Sequence, residues 1–288
     1  MPPAAAKRSM EGRTMVRKQR FISFIPPLIQ ALHAGRKTQT RRLQGLDVIN
    51  QDPDHWVPLH AAVTLDTTGQ LGVAFQHLET GDRQWLPCPY GGPGSHLWVK
   101  EPWSSLVEQH EDGVERHCVA YEGTPRVGIR TPGCLGAVDH IRYLDDDTDL
   151  SEHYFGWPLR WRAARYMPRR FSRFTLTLTQ VRVERLQDIS DASPSNDCTA
   201  EGVFHTGFPL PTYTKWRAAG YRSCEKQAFA QLWSRLHGDH ETGGWDANPY
   251  VWVLSFKVRQ ANIDTLDHSD AAYTASTPPA LTVAGGAS

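Results

Sequence analysis

The sequence predicts a mainly β, α+β fold, in which a small, partly open β-barrel carries short peripheral helices and long loop insertions. Two observations lead to this class. Strand-like runs outnumber helical ones, and they are short and separated by irregular loops. The 288 residues also include 10 Trp and 20 Pro, a composition typical of loop-rich folds with aromatic anchors. The hydrophobic fraction of 40% lies above the range of disordered chains.

Strands are predicted where apolar residues alternate or cluster between turn residues. The clearest candidate is the stretch 174–186, which alternates for over ten residues, with Leu and Val facing a core and Thr and Arg facing outward. The other predicted strands are Phe21–Phe24, Ala61–Leu65, Leu71–Phe75, His96–Glu101, Val114–Tyr121 and Tyr250–Val258.

Helices are predicted at three places along the chain. The first begins near Pro27, which suits the first helical position, and Gly35 fits its C-terminal cap. A short second helix covers residues 197–201 and stops at Gly202. The third spans Glu225–Leu236, where apolar residues recur on one face.

The domain is predicted to occupy residues 21–258. Residues 1–20 are Ala/Pro-rich and then basic, without apolar periodicity, so a disordered segment is expected there. Residues 259–288 are rich in small and polar residues and are also expected to be disordered. A surface insertion is predicted near 122–156, where a Gly-rich stretch leads into an acidic run.

Charge and cysteine patterns narrow the function class. Lys plus Arg total 31, as do Asp plus Glu, so any nucleic-acid binding requires a local basic patch. The five cysteines lack a C-x-x-C pair, which disfavours a disulfide framework or zinc site and indicates reduced thiols in a cytoplasmic protein. The apolar run Phe21–Ile29 is too short to span a membrane.

No cofactor and no metal ion is predicted. The sequence contains neither G-x-G-x-x-G after a strand nor a Walker sequence, which disfavours dinucleotide and nucleoside-triphosphate sites. His237 and His240 lie three positions apart just after a helix, and this spacing fits a polar loop better than a metal site.

The basic segment Gly35–Arg42 (GRKTQTRR) is the strongest candidate site. Its four cations flank two hydroxyls, and no carboxylate lies within the segment. Three interpretations stay open: a phosphate or anion site, a lysine-activated threonine nucleophile, or a solvated basic edge strand. The residues are Arg36, Lys37, Arg41 and Arg42, with Thr38 and Thr40 between them.

A second basic stretch, Trp157–Arg173, mixes arginines with aromatic residues and contains no acid. Such a mixture can stack on unpaired bases while holding phosphates. The alternative is that the aromatic side chains anchor a core and the arginines are solvated. The arginines are Arg160, Arg162, Arg165, Arg169, Arg170 and Arg173, and the aromatic residues are Trp157, Trp161, Tyr166 and Phe171.

Five segments, in order along the chain, together resemble the ASCH domains of the PUA-like superfamily, and most closely their larger phage and prophage branch. The segments are ALHAGRKTQTRR from Ala31, CPYGGPGSHLWVKEPW from Cys88, MPRRFSR from Met167, LQDIS through CTAEGV from Leu186, and WDANPYVWVLSF from Trp245. The resemblance implies a PUA-like, partly open barrel whose G-x-K-x-x-T segment faces nucleic acid, RNA above all, or a modified nucleoside.

The resemblance also suggests a chemistry. Small bacterial ASCH proteins are amidohydrolases that act on N4-acylated cytidines through a Lys and a Thr of K-x-x-T and a later Glu. Lys37, Thr40 and Glu201 match these positions. In a straight strand, positions three apart point to opposite faces, so Lys37 and Thr40 converge only if the backbone bends after Gly35.

Three functional hypotheses follow. The first is binding of RNA, single-stranded nucleic acid or a modified nucleoside. The second is removal of an acyl group from N4-acylated cytidine by Lys37, Thr40 and Glu201. The third is a phage structural or assembly factor that contacts phage components. The predicted nucleic-acid-binding residues are Arg36, Lys37, Arg41, Arg42, Arg165, Arg169 and Arg170.

Overall fold

The computed structural model describes residues 20–66, 69–109, 115–121, 128–130, 141–143, 161–191, 196–203 and 225–266. Strands dominate these residues and helices are few, which confirms the mainly β, α+β class. The strands are β1 Arg20–Ser23, β2 Gln39–Arg42, β3 Trp56–Pro58, β4 Thr64–Leu65, β5 Leu71–His77, β6 Arg83–Pro87, β7 His96–Lys100, β8 Trp103–Gln109, β9 Glu115–Tyr121, β10 Gly128–Arg130, β11 Ile141–Tyr143, β12 Thr175–Arg185 and β13 Tyr250–Arg259. The α-helices are α1 Pro26–His33, α2 Asp197–Ala200 and α3 Glu225–His237.

The main sheet has five strands in the order β1-β7-β12-β13-β2. β1 pairs with β7 in parallel, and the other neighbours are antiparallel. Two smaller sheets accompany it, one of β3, β5, β4 and β6, the other in the order β11-β10-β9-β8. The basic segment therefore supplies an edge strand of the main sheet, but Lys37 and Arg41 are buried, so it is not the solvated strand that one interpretation predicted.

β12 is the longest strand and links two sheets. Its first half pairs with β7, and its second half bonds to the segment before β4, where Val183 N donates to Ala61 O at 2.8 Å. A bulge between Leu178 and Gln180 separates the halves. The predicted alternation is confirmed on either side of the bulge, with Leu and Val buried, but its phase shifts by one residue there.

The main sheet curls without closing into a barrel. β1 and β2 are its two edges and no ladder joins them in the described part of the chain. The edges nevertheless approach, because Arg42 of β2 donates to Ser23 O of β1 at 2.9 Å and lies 5.0 Å from the Phe24 ring. The described residues thus form no closed barrel, and the predicted partly open barrel is confirmed only as a mainly β fold whose main sheet stays open.

The core fills the concave face of this sheet. Alternate residues of β12 point into it, whereas the consecutive residues 250–254 of β13 are all buried, so this strand is covered on both faces. The helices α1 and α3 contribute their apolar faces to the core. Phe229, Leu232 and Trp233 of α3 are buried, whereas Leu236, the last residue of the predicted helix, is 41% exposed.

The ordered chain passes the predicted boundary at residue 258. Asn262 and Ile263 are buried, and Asn262 donates to Arg169 O at 3.0 Å and to Ser172 O at 2.7 Å. Of the predicted disordered segments 1–20 and 259–288, residues 1–19 and 267–288 lie outside the described residues, as does the acidic run of the insertion. Among the described helices, none has the length and apolarity needed to cross a membrane.

Candidate functional site

Lys37 lies at the centre of a buried ionic cluster. The chain leaves α1 through Gly35, whose φ of +68° is the left-handed conformation that glycine adopts most easily. The Lys37 side chain is 0% exposed. Its Nζ donates to Gln39 O at 2.8 Å, to Glu201 O at 2.6 Å and to Glu201 Oε2 at 3.0 Å. All of the ammonium donors are therefore used.

The environment of Lys37 weakens its hold on the proton. Burial lowers the pKa of Lys37 from 10.5 to about 8; the Glu201 carboxylate opposes this shift, and Arg42 and Arg41 add to it. A lysine in this range exchanges its proton near neutral pH, as catalytic lysines do.

Glu201 reaches Lys37 because the turn after α2 is tight. Asn196 caps α2 by accepting a hydrogen bond from Thr199 N at 2.9 Å. Gly202 then takes φ +84°, and a Cβ at this position would lie 3.3 Å from Lys37 Cβ. The predicted short helix and its end at Gly202 are confirmed. This backbone path places the Glu201 carboxylate within hydrogen-bonding distance of Lys37 Nζ.

Arg41 extends the cluster and is 1% exposed. Its guanidinium donates to Glu201 Oε1 at 3.0 Å, to Asp197 Oδ2 at 2.8 Å and to Glu184. Burial would lower the pKa of Arg41, but these carboxylates together raise it. With its two terminal nitrogens engaged by three carboxylates, Arg41 orders the acids around Lys37 and is not free to hold a phosphate.

The outer rim of the cluster is formed by Arg182, Glu184 and Asp197, which are 21%, 18% and 16% exposed. Arg182 bonds Glu184 Oε2 at 2.9 Å and Asp197 Oδ2 at 3.2 Å. Three cations, counting Lys37 and Arg41, thus face three carboxylates, counting Glu201. The basic segment finds its counter-charges on β12 and α2, not in its own sequence.

Gln39 has an unfilled donor inside this balanced cluster. The residue is 5% exposed, and its Oε1 accepts from Arg182 and from Ser255 Oγ, each at 3.3 Å. Because arginine only donates, this contact fixes the amide orientation and leaves Nε2 as the donor without a partner. Gln39 Nε2 and Arg41 Nε are both buried without a partner.

Thr40 lies on the other face of β2. It pairs with Leu254 of β13, and both side chains are buried. Neighbouring strand residues point to opposite faces, so Thr40 faces the core while Gln39 and Arg41 face the cluster. No hydrogen bond joins the Thr40 hydroxyl to Lys37 or Glu201. The structure therefore brings together two of the three predicted catalytic residues and separates the third.

The remaining predicted phosphate-binding residues are scattered. Arg36 is partly exposed beside Lys37, and Arg42 is partly buried against Phe24. Arg165 and Arg170 are exposed and lie over the rings of Tyr166 and Phe171, respectively, at 4.8 and 4.9 Å. Arg169 is partly buried and pairs with Asp264, so its charge is already balanced.

Four cluster residues were missed at the sequence level, namely Gln39 as a site residue, Arg182, Glu184 and Asp197. One signal was available: Arg182 and Glu184 alternate on the outward face of a predicted strand, which places opposite charges side by side. Asp197 gave a weaker signal as an acid in the first turn of the short helix.

No metal site competes with this cluster in the described residues, because none of their His, Cys, Asp and Glu side chains form a group of three suited to an ion. His237, one of the two histidines considered, stacks on Trp233 at 4.1 Å, and burial lowers its pKa to about 4. A neutral imidazole stacked in this way is part of the packing around α3.

Comparison with protein-family models, with curated proteins and with solved structures found no match for this chain. The resemblance in the five sequence segments therefore remains a prediction, and the site must be judged by its geometry.

Proposed function

We propose that this chain is a PUA-like, ASCH-type domain that binds nucleic acid or a modified nucleoside, with the Lys37 cluster as the ligand site. Its support is the agreement between the family pattern and the geometry. Lys37 and Glu201, which the resemblance paired, are in direct contact although they are far apart in sequence.

The observation that carries the proposal is the pair of unfilled donors, Gln39 Nε2 and Arg41 Nε. Native proteins satisfy nearly all buried polar groups, because each unfilled one costs about 1–3 kcal/mol. Two such donors, two positions apart on the same strand face, suit a ligand that presents hydrogen-bond acceptors. The edge of an unpaired nucleobase presents acceptors of this kind.

The charge balance also favours a neutral ligand part at the cluster. The three cations are hydrogen-bonded to three carboxylates, so a phosphate could take their donors only by breaking these ion pairs. A base or a nucleoside can accept from Gln39 without disturbing the ion pairs. The phosphate-binding role then falls to cations elsewhere on the surface.

The test is calorimetric titration with cytidine and N4-acetylcytidine. The Gln39→Leu variant removes the donor and should weaken binding about tenfold or more, the value of one lost hydrogen bond to a buried group. Gln260→Leu changes an exposed glutamine and should bind as the wild type does. Absence of nucleoside binding to the wild type, or equal affinity of the Gln39 variant, would contradict the proposal.

A second candidate function is hydrolysis of the acyl amide of an N4-acylated cytidine. The contact between Lys37 and Glu201, with a lysine pKa of about 8, favours it because both groups can move protons. Water would add to the acyl carbonyl, the C–N bond would break, and the exocyclic nitrogen would take a proton. The products are cytidine and a carboxylic acid.

Thr40 has no part in this version of the reaction, because it faces the core. Release of cytidine from N4-acetylcytidine, followed by chromatography, tests the candidate. Turnover should fall at least a hundredfold in Lys37→Met and persist in Thr40→Val. Nucleoside binding without turnover would eliminate hydrolysis and leave the binding proposal intact. The assembly-factor hypothesis stays a prediction.

A further inference from the structure

The outer face of the main sheet carries an exposed aromatic–cation patch formed by Phe21, Lys100, Arg165 and Tyr166. Phe21 is 51% exposed and Tyr166 is 62% exposed. Lys100 Nζ lies 4.0 Å from the Phe21 ring centroid and donates to Arg165 O at 3.1 Å. The Arg165 guanidinium lies 4.8 Å from the Tyr166 ring centroid. Each exposed ring thus has a cation beside it.

The patch is positively charged. Among the described residues, neither Lys100 nor Arg165 forms an ion pair with a carboxylate. Glu101, the buried acid that follows Lys100 in the sequence, is bound by Arg173 through two hydrogen bonds of 2.8 and 2.7 Å. The patch therefore carries uncompensated charge, in contrast to the Lys37 cluster.

The patch and Gln39 lie on the same face of one sheet. Phe21 and Lys100 alternate with core residues of β1 and β7, and Gln39 alternates with core-facing Thr40 on β2. Measured across the outer face, β1 and β2 lie four strand spacings apart, roughly 19 Å at about 4.8 Å each, although their free edges approach where Arg42 donates to Ser23 O. A strand of several nucleotides that runs across this face can contact the patch and Gln39 together.

We propose that the outer face of the main sheet binds single-stranded nucleic acid, with the aromatic–cation patch holding bases and phosphates beyond the base bound at Gln39. This inference rests on the proposed function and specifies single-stranded nucleic acid as the ligand. Exposed rings stack on unpaired bases whatever their sequence, and the adjoining cations hold the phosphates. The bases of a duplex are already stacked on one another, so they cannot occupy the same rings.

The experiment compares a fluorescein-labelled single-stranded oligouridylate with a duplex RNA of the same length, using anisotropy and the full chain. The wild type should prefer the single strand. Phe21→Ala and Tyr166→Ala should each weaken single-strand binding roughly tenfold, the loss expected for one stacked base. Leu65→Ala is the matched control, since Leu65 is 65% exposed and lies on a different sheet.

Nucleoside titration separates this inference from the proposed function. The patch variants should bind N4-acetylcytidine as the wild type does, whereas Gln39→Leu should lose it. Melting temperatures measured by circular dichroism check that the variants are folded. Tyr166→Phe keeps the aromatic ring and should bind the single-stranded oligonucleotide as tightly as the wild type does. Unchanged oligonucleotide binding in both patch variants, equal affinity for the duplex, or equal competition by polyglutamate would overturn the inference.

Discussion

At the scale of single residues, Lys37 uses all of its ammonium donors in hydrogen bonds, and yet its pKa is lower than that of an exposed lysine. Three acceptors satisfy its ammonium group, yet burial and two neighbouring arginines lower its pKa to about 8. Lys37 therefore loses its proton at a lower pH than an exposed lysine does.

This lowered pKa predicts a particular pH dependence of stability. The folded-state pKa of Lys37 is about 8 and its ordinary value is 10.5, so between these pH values the unfolded chain holds a proton that the folded chain has lost. The free energy of unfolding should therefore rise with pH across this window, by up to about 3 kcal/mol relative to a Lys37→Met variant. Urea unfolding from pH 7 to pH 10 measures it.

The comparison variant for that experiment is Lys257→Met, which removes an exposed lysine. Its unfolding free energy should follow the wild-type pH dependence, because other titrating groups are common to both chains. Parallel curves for the wild type and Lys37→Met would show that Lys37 keeps its ordinary pKa.

At the scale of elements, the turn after α2 determines whether the cluster forms. In Gly202→Ala, the alanine would have to adopt φ +84°, a strained conformation for a residue with a side chain, and its Cβ would lie 3.0 Å from Ala31 Cβ. Gly81→Ala carries a similar strain at φ +73°, with nothing within 4 Å. We expect Gly81→Ala to cost about 1 kcal/mol and Gly202→Ala clearly more, measured by urea unfolding. Equal costs would mean that the turn relaxes without moving Glu201.

The bulge in β12 is a second decisive element. Thr179 is the extra residue, and it lets one strand pair with β7 before it and with Ala61 after it. Deleting Thr179 restores uninterrupted alternation but removes the bend. We expect faster amide hydrogen exchange at Val63 and Val183, with the β12–β13 ladder kept. Thr179→Ala, which keeps the bulge, should exchange as the wild type does; unchanged exchange in the deletion would refute this role.

The sequence predicted most of the strands and helices but few of the contacts within the site. The alternation of β12 and the glycines that end the helices are local patterns, so they can be recognised without knowing the fold. The partners of Arg41 could not, because Glu184 and Asp197 lie far along the chain and meet it only through sheet pairing and the docking of α2. Thr40 was misplaced because a straight β2 turns it toward the core.

At the scale of the whole molecule, charge is balanced globally but unevenly placed. Equal totals of 31 basic and 31 acidic residues provide no long-range attraction for nucleic acid. Around the edge strand β2, cations and carboxylates neutralise one another. The cations of the aromatic–cation patch, Lys100 and Arg165, have no carboxylate partner among the described residues. Nucleic-acid binding by such a chain should depend on few phosphate contacts and mainly on stacking and base contacts.

The salt dependence of single-strand binding tests this balance. Each phosphate neutralised on a single strand contributes about −0.7 to the slope of log K against log salt, so Lys100 and Arg165 together predict a shallow slope near −1.4. Lys100→Gln should reduce the slope by about 0.7, and Arg83→Gln, which alters an exposed arginine of β6, should leave it unchanged. A cation changes the slope only if it contacts a phosphate of the strand and displaces its counterions. A steep slope that persists in Lys100→Gln would therefore place the phosphate contacts elsewhere, with the basic residues of segment 1–20 as the first alternative.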